Sequence, residues 1–123
     1  MIVVDSCGWL EYFKDGPLAD AYENYIHSPD LIVPTVVLYE VYKVVCRELG
    51  ERQALHAVSM LKCYQVVPLD ARLALEAADI SLRCDLPMAD AIVYATAQAL
   101  GALLVSSDEH FEDLPDVQYL ARK

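Results

Sequence analysis

Basic residues are scarce in this chain. Nine Lys and Arg stand against nineteen Asp and Glu among 123 residues, which gives a formal net charge of −10. Proteins that bind nucleic acid non-specifically neutralise phosphates with a basic surface, so the composition disfavours that activity for the isolated chain. It does not exclude an enzyme that acts on phosphodiesters with bound cations, because such ions offset acidic side chains.

Several short motifs are also missing. The four cysteines, Cys7, Cys46, Cys63 and Cys84, form no CxxC pair and have no His at ligand spacing, so we expect reduced, buried thiols and no zinc site. No basic segment of a signal peptide follows Met1, and we expect a cytoplasmic protein. The chain has no phosphate loop, dinucleotide fingerprint or Ser–His–Asp order that would suggest another chemistry.

One hydrophobic run is long enough to cross a membrane. It covers twenty residues, 86–105, and Asp90 is its only charged residue. Pro87 and Gly101 divide the run into a helix and a strand, and a carboxylate would be costly in lipid. We therefore expect a buried segment of a protein that has no membrane partner. A lone buried carboxylate needs a partner, a proton or a metal ion, and the run holds no Lys or Arg to pair with Asp90.

Short apolar segments alternate with amphipathic ones along the chain, and no internal repeat or linker interrupts them. This pattern predicts an α/β fold, a single domain over residues 1–123 with three layers and a central, mostly parallel sheet of four to five strands flanked by helices. We expect strands at residues 1–4, 31–33, 64–67, 102–105 and 117–120. Helices are expected at about 6–13, 17–26, 34–49, 51–61, 71–83 and 87–100.

Four acidic residues occupy related places in this pattern. Asp5 and Asp108 follow predicted strands, while Glu40 and Asp90 lie in the first turns of predicted helices. Because these positions meet at one edge of a parallel sheet, we expect the four carboxylates to lie together. Each residue also has an ordinary explanation: a helix N-cap for Asp5 and Asp108, a solvated pair with Lys43 for Glu40, and the helix dipole for Asp90.

Clustered carboxylates repel one another unless cations bind. Carboxylate ligands without His or Cys favour Mg²⁺ or Mn²⁺, and such a site suits metal-assisted hydrolysis of a phosphodiester. We expect all four acidic residues to bind metal and act in catalysis, with Glu40 either a ligand or the group that orients the attacking water. Lys43 and Arg47 share the Glu40 helix face and could guide a phosphate backbone, or could pair with acidic neighbours in solvent. His110 could touch the substrate, although a surface position is favoured.

The acidic positions resemble those of a known family. The residues that carry the resemblance are Asp5 in IVVDSCGW, Glu40 in VPTVVLYEV, Asp90 in LPMADAIVYATAQALGA and Asp108 in LLVSSDEHF. Their order and spacing, over essentially the whole chain, are similar to those of the PIN domain and, more narrowly, of the VapC-type ribonuclease toxins. Ser6 and Ser106 match small hydroxyl positions that support the carboxylates. Cys7 stands where a second Ser is common, and Ser106 where Thr is frequent.

The resemblance implies an endoribonuclease that depends on Mg²⁺ or Mn²⁺ and cleaves RNA. It also implies a homodimer or a toxin–antitoxin hetero-oligomer, with a cognate antitoxin protein as the inhibitor. Two alternatives remain open on sequence grounds: a non-catalytic PIN-like binding module, and a Mg²⁺-dependent phosphoryl-transfer or receiver-like domain.

Overall fold

The computed structural model describes residues 1–122, which form five strands and six α-helices. The strands are β1 (Ile2–Val4), β2 (Leu31–Pro34), β3 (Gln65–Val67), β4 (Leu103–Ser106) and β5 (Val117–Tyr119). The helices are α1 (Ser6–Phe13), α2 (Ala19–Ile26), α3 (Thr35–Leu49), α4 (Glu51–Leu61), α5 (Ala71–Cys84) and α6 (Met88–Ala99). A 3₁₀ turn, Glu109–Phe111, lies between β4 and β5. The predicted alternation of strands and helices is confirmed.

The strands form one sheet in the order β3-β2-β1-β4-β5. Every neighbouring pair is parallel, so the predicted α/β fold is confirmed and the sheet is parallel throughout. The chain adds β2 and β3 on one side of β1, then returns past β1 to add β4 and β5 on the other. With right-handed crossovers, this reversal places α1–α4 on one face of the sheet and α5 and α6 on the other.

The reversal also creates a topological switch point between β1 and β4. Two chain segments leave the sheet there in opposite directions, which opens a crevice at the carboxyl ends of these strands. The strand order differs from the 2-1-3-4-5 order of receiver-type domains, which argues against the receiver-like alternative.

The central strands are buried on both faces, as expected for a parallel sheet. Val3, Val4, Leu104 and Val105 are all fully buried. The long hydrophobic run divides as predicted: α6 has 12 residues, and Gly101 follows it with a φ of 64° before β4 begins. Within residues 1–122, no helix is both long enough and apolar enough to cross a membrane.

Two details differ from the prediction. Helix α2 begins at Ala19 instead of Pro17, because the Ala19 N–H first closes a turn onto the Gly16 carbonyl and the Glu11 carboxylate accepts the Leu18 N–H at 2.8 Å. The expectation of buried thiols is wrong, since Cys63 is exposed and the other three cysteines are only half-buried.

Candidate active site

Asp5 lies directly after β1 and is 3% exposed. Its Oδ1 accepts the Ser6 N–H at 2.8 Å, which caps α1, and its Oδ2 accepts the Ser106 hydroxyl at 2.9 Å and the Cys7 thiol at 3.6 Å. The Asp5 N–H donates to the Val105 carbonyl at 3.0 Å, which extends the hydrogen bonding between β1 and β4 by one residue. The carboxylate is therefore fixed at the switch point by groups from α1 and β4.

A small polar network lies beside Asp5 and away from solvent. The Cys7 Sγ is 3.5 Å from the Ser106 hydroxyl and 3.8 Å from the hydroxyls of Ser107 and Tyr22. Tyr22 comes from α2, is fully buried, and shares a hydrogen bond with Ser107. Neither Tyr22 nor Ser107 was predicted from the sequence. Ser107 could have been inferred because it adjoins Ser106, whereas nothing in the sequence of α2 distinguishes Tyr22.

Asp90, Asp108 and His110 form the most compact group of potential ligands. One side-chain atom from each lies within 4.8 Å of the others. The His110 Nδ1 is 2.8 Å from the Asp90 Oδ2 and 3.1 Å from the Asp108 Oδ1. The expectation that His110 is a surface residue is correct, because its side chain is 53% exposed, yet the ring also contacts both carboxylates. Asp108 additionally caps the 3₁₀ turn by accepting the His110 N–H.

Glu40 is half-buried on α3, in the second turn of that helix. Burial raises the pKa of Glu40, and the charges of Asp5 and Asp108 add to this effect while Ser6 and Lys43 oppose it. Glu40 thus shares an electrostatic environment with the carboxylates of β1 and β4. The compact ligand group, however, contains neither Glu40 nor Asp5.

The pKa values reflect a shortage of positive charge. Burial, aided by the charges of Asp90 and Asp108, raises the pKa of Asp5 from 3.8 to about 6, against the lowering effect of the bonds from Ser106 and Ser6. Burial also raises the pKa of Asp90, against the hydrogen bond from His110. In turn the Asp90 hydrogen bond raises the pKa of His110. In the described part of the chain, no Lys or Arg forms an ion pair with the four acidic residues.

The predicted substrate-binding residues lie along the exposed side of α3. Lys43 is exposed, with its ammonium 5.6 Å from the centre of the Tyr39 ring. Arg47 pairs with Glu48 at 3.2 Å.

A basic residue that the sequence pattern did not indicate lies next to the acidic centre, which consists of Asp5, Asp90, Asp108 and His110. A groove of about 370 Å³ adjoins the centre, and its lining includes Asp108, His110, Tyr119 and Arg122. Arg122 brings a guanidinium, and Tyr119 an aromatic ring, to the edge of the centre.

The residues present fit a divalent cation. Two half-exposed carboxylates and one imidazole converge within a few ångströms, and a third carboxylate, Asp5, is buried close by without a cationic partner. Such a donor set carries more negative charge than its hydrogen bonds compensate, which is what a bound cation corrects. Asp90 and Asp108 are the carboxylates best placed to hold one, and the His110 ring lies beside them.

The fold and the centre together define a class: parallel α/β proteins with an acidic centre at the switch point of the sheet. Within that class the chain belongs to the PIN domain family, because the PIN domain family model matches residues 2–117. The family expected from the sequence is confirmed. Among curated protein sequences, none matches the chain.

Solved structures with the same fold include bacterial toxin–antitoxin proteins. A toxin–antitoxin complex from Klebsiella pneumoniae superposes with a TM-score of 0.81 at 18% identity, over 96% of each chain. VapC20 of Mycobacterium tuberculosis, described as a toxin that cleaves the sarcin–ricin loop, gives 0.76 at 19% identity, over 91% of this chain and 92% of that one. VapBC2 of Rickettsia felis, bound to a promoter DNA fragment, gives 0.76 at 16% identity over 98% of each chain. At sequence identities of 16–19%, these matches show similarity of fold alone.

Proposed function

We propose that this protein is a metal-dependent endoribonuclease and the toxin of a toxin–antitoxin pair. The observation that carries the proposal is the convergence of Asp90, Asp108 and His110 beside the buried Asp5, at the switch point of a PIN fold. The toxin assignment rests on the likeness to toxin–antitoxin structures that span nearly the whole chain.

The cofactor in this proposal is Mg²⁺ or Mn²⁺, held by Asp90 and Asp108 with Asp5 behind them. A divalent ion bound there supplies the Lewis acidity that phosphodiester hydrolysis needs. Asp5 adds negative charge from a rigid, buried position, and Ser106 and Ser6 hold its two oxygens in place. Ser106 contacts Asp5 through its hydroxyl, which supports the role that we propose for it, whereas Ser6 contacts Asp5 through its backbone N–H.

We propose that Glu40 orients the attacking water. Its pKa is raised by burial, and a carboxylate with a raised pKa accepts a proton more readily near neutral pH. Glu40 also lies outside the compact ligand group, which leaves its carboxylate free to orient water. Lys43, one turn further along α3, is proposed to contact the RNA backbone, and Arg47 could do so only by leaving Glu48.

The partners in this proposal are an RNA substrate and a cognate antitoxin protein, in a homodimer or a toxin–antitoxin hetero-oligomer. We place the protein in the cytoplasm, where its RNA substrates are found. The antitoxin is expected to act by covering the acidic centre.

RNA cleavage by the purified protein tests the proposal. We expect cleavage with Mg²⁺ or Mn²⁺, none with EDTA, and a loss of at least a thousandfold for Asp90→Ala, since that change removes a ligand and a charge together. The variant should fold normally, because Asp90 is half-buried among apolar neighbours and repels the adjacent carboxylates. Lys62→Ala, at the end of α4 and at the opposite edge of the sheet, is the control. Cleavage that persists in EDTA or in Asp90→Ala would contradict the proposal.

A further inference from the structure

We propose that the His110 Nδ1 is a protein ligand of the bound cation, and that it makes the centre prefer Mn²⁺ to Mg²⁺. The inference builds on the proposed metal site and goes beyond it, because the acidic positions alone suggest ligands made only of oxygen. From the sequence, His110 was expected at the surface, with contact to the substrate as the other possibility.

The position of the His110 ring supports this role. Its Nδ1 lies 2.8 Å from one Asp90 oxygen and 3.1 Å from one Asp108 oxygen. Neighbouring ligands of an octahedral ion with bonds of about 2.1 Å lie roughly 3 Å apart, so both separations suit ligands of one ion. Without an ion, the contact with Asp90 is a hydrogen bond that uses the Nδ1 proton. Binding of the cation would release that proton to solvent and leave the ring in a ligand position relative to both carboxylates.

The fold holds His110 at this place. The next residue, Phe111, is fully buried and stacks on Tyr94 of α6, with ring centres 6.2 Å apart. Tyr94 is one helical turn from Asp90, so the anchor of the 3₁₀ turn and one of the carboxylates share α6. On the other side, the His110 N–H donates to Asp108 at 2.9 Å. These interactions fix the backbone of the turn, so that the exposed His110 side chain starts beside the two carboxylates that its ring contacts.

The chemistry of imidazole determines the preference. Mg²⁺ favours oxygen ligands and retains its water, whereas a nitrogen ligand suits divalent transition ions. Two carboxylates and one imidazole therefore bind Mn²⁺ more tightly than Mg²⁺. Loss of the imidazole should weaken Mn²⁺ binding selectively.

Electron spin-echo spectroscopy of Mn²⁺ bound to the full-length protein tests the inference without RNA. With ¹⁵N-histidine incorporated, we expect a nitrogen coupling in the wild type that is absent in His110→Ala. Titration should show Mn²⁺ affinity reduced roughly 10-fold or more in the variant, because loss of an outer-shell partner alone typically costs about 10- to 100-fold at a metal site. Mg²⁺ affinity, measured by competition with Mn²⁺, should change about threefold or less, because imidazole contributes little to a Mg²⁺ site.

His27→Ala is the matched control, because His27 is also exposed and also contacts a carboxylate, that of Glu23. This variant should leave the histidine nitrogen coupling and the affinities for Mn²⁺ and Mg²⁺ unchanged. Thermal unfolding in EDTA checks that His110→Ala is folded. Absence of a histidine coupling in the wild type, its persistence in His110→Ala, or an equal loss of Mn²⁺ and Mg²⁺ affinity would overturn the inference. The coupling experiment does not depend on RNA cleavage, so a protein that binds Mn²⁺ through His110 but cuts no RNA would contradict only the proposed function.

Discussion

The Asp5 side chain serves α1 and the acidic centre at the same time. One oxygen caps the helix through the Ser6 N–H, and the other faces Ser106 and Cys7. Asp108 is similar, since it caps the 3₁₀ turn and contacts His110. The capping role and the clustered role, which the sequence offers as alternatives, are therefore compatible at both positions.

Asp5→Asn is expected to stabilise the metal-free protein at neutral and alkaline pH. The pKa of Asp5 is raised from 3.8 to about 6, so the folded state binds a proton more tightly than the unfolded state. Stability contributed by the protonated form is fully present below pH 3.8 and is lost as pH rises through 6. A shift of this size corresponds to roughly 3 kcal/mol, an upper bound for the gain from removing the charge.

Urea unfolding in EDTA, from pH 4 to pH 8, measures this effect. The advantage of Asp5→Asn over the wild type should grow between pH 4 and pH 6 and then remain constant. A variant that is less stable than the wild type at pH 7.5 would show that Asp5 is needed as a structural anion. Added Mn²⁺ should stabilise the wild type and have a much smaller effect on the variant.

Residues at the centre differ in how far the sequence could predict them. Asp5, Asp90 and Asp108 were predictable because strand ends and a lone charge in an apolar run locate them. The His110 contact was not, because it depends on how Phe111 packs on α6. Local sequence predicts which residues leave a strand, whereas side-chain contacts between α6 and the 3₁₀ turn depend on tertiary packing.

At the scale of elements, α2 reaches the acidic centre through Tyr22. A close approach makes this possible: a Cβ added to Gly8 of α1 would lie 2.4 Å from the Tyr22 ring and 2.6 Å from Val4. Because Gly8 has no Cβ, α2 packs closely enough on α1 for the Tyr22 hydroxyl to share a hydrogen bond with Ser107. Helix α2 thus supports the layer beside Asp5 without contributing a ligand.

Tyr22→Phe is expected to destabilise the protein by about 1–2 kcal/mol, because it leaves the buried Ser107 hydroxyl without its main partner. Equilibrium denaturation measures the change. Tyr25→Phe, on the same helix, is the control: its hydroxyl makes no hydrogen bond within residues 1–122, and it should cost less than about 0.5 kcal/mol. Equal losses in the two variants would mean that the network beside Asp5 adds nothing to stability.

Most element boundaries were predictable from apolar periodicity and from Gly and Pro. Glu51–Leu61 matches the prediction at both ends, and Gly50 ends α3 with a φ of 93°. The start of α2 was not predictable from Pro17, because the Glu11 carboxylate reaches across the turn to bond Leu18. The strand order could not be predicted either, since the pairing of β1 with β4 joins segments about a hundred positions apart.

At the scale of the whole molecule, charge is the main obstacle to the RNA binding that we propose. The chain carries a net charge of −10, and three of its cations, Lys14, Arg47 and Arg72, already pair with carboxylates. Arg122 lines the groove beside Asp108 and His110, with Tyr119 next to it. A guanidinium and an aromatic ring together suit a phosphate and a stacked base of single-stranded RNA.

Arg122→Ala is expected to weaken RNA binding several-fold. In an inactive Asp90→Ala background, fluorescence anisotropy at a series of salt concentrations should show the slope of log K against log salt reduced by about 0.7, as for loss of one phosphate contact with a single strand. Lys62→Ala, at the opposite edge of the sheet, should leave both the affinity and the slope unchanged. Identical behaviour of the two variants would exclude Arg122 from the RNA surface.

The pairing of β1 with β4 also bears on how the protein is made. Asp5 receives its hydrogen bond from Ser106, which is 101 positions later in the chain, and Asp108 and His110 come later still. While a ribosome is still translating the codons that precede β4, β1 has no β4 beside it and the acidic centre does not yet exist. The activity that we propose is therefore absent from the nascent chain until β4 and the 3₁₀ turn have been synthesised. For an enzyme that would cut RNA in the cell that makes it, late assembly of the centre gives an inhibitor time to be present first.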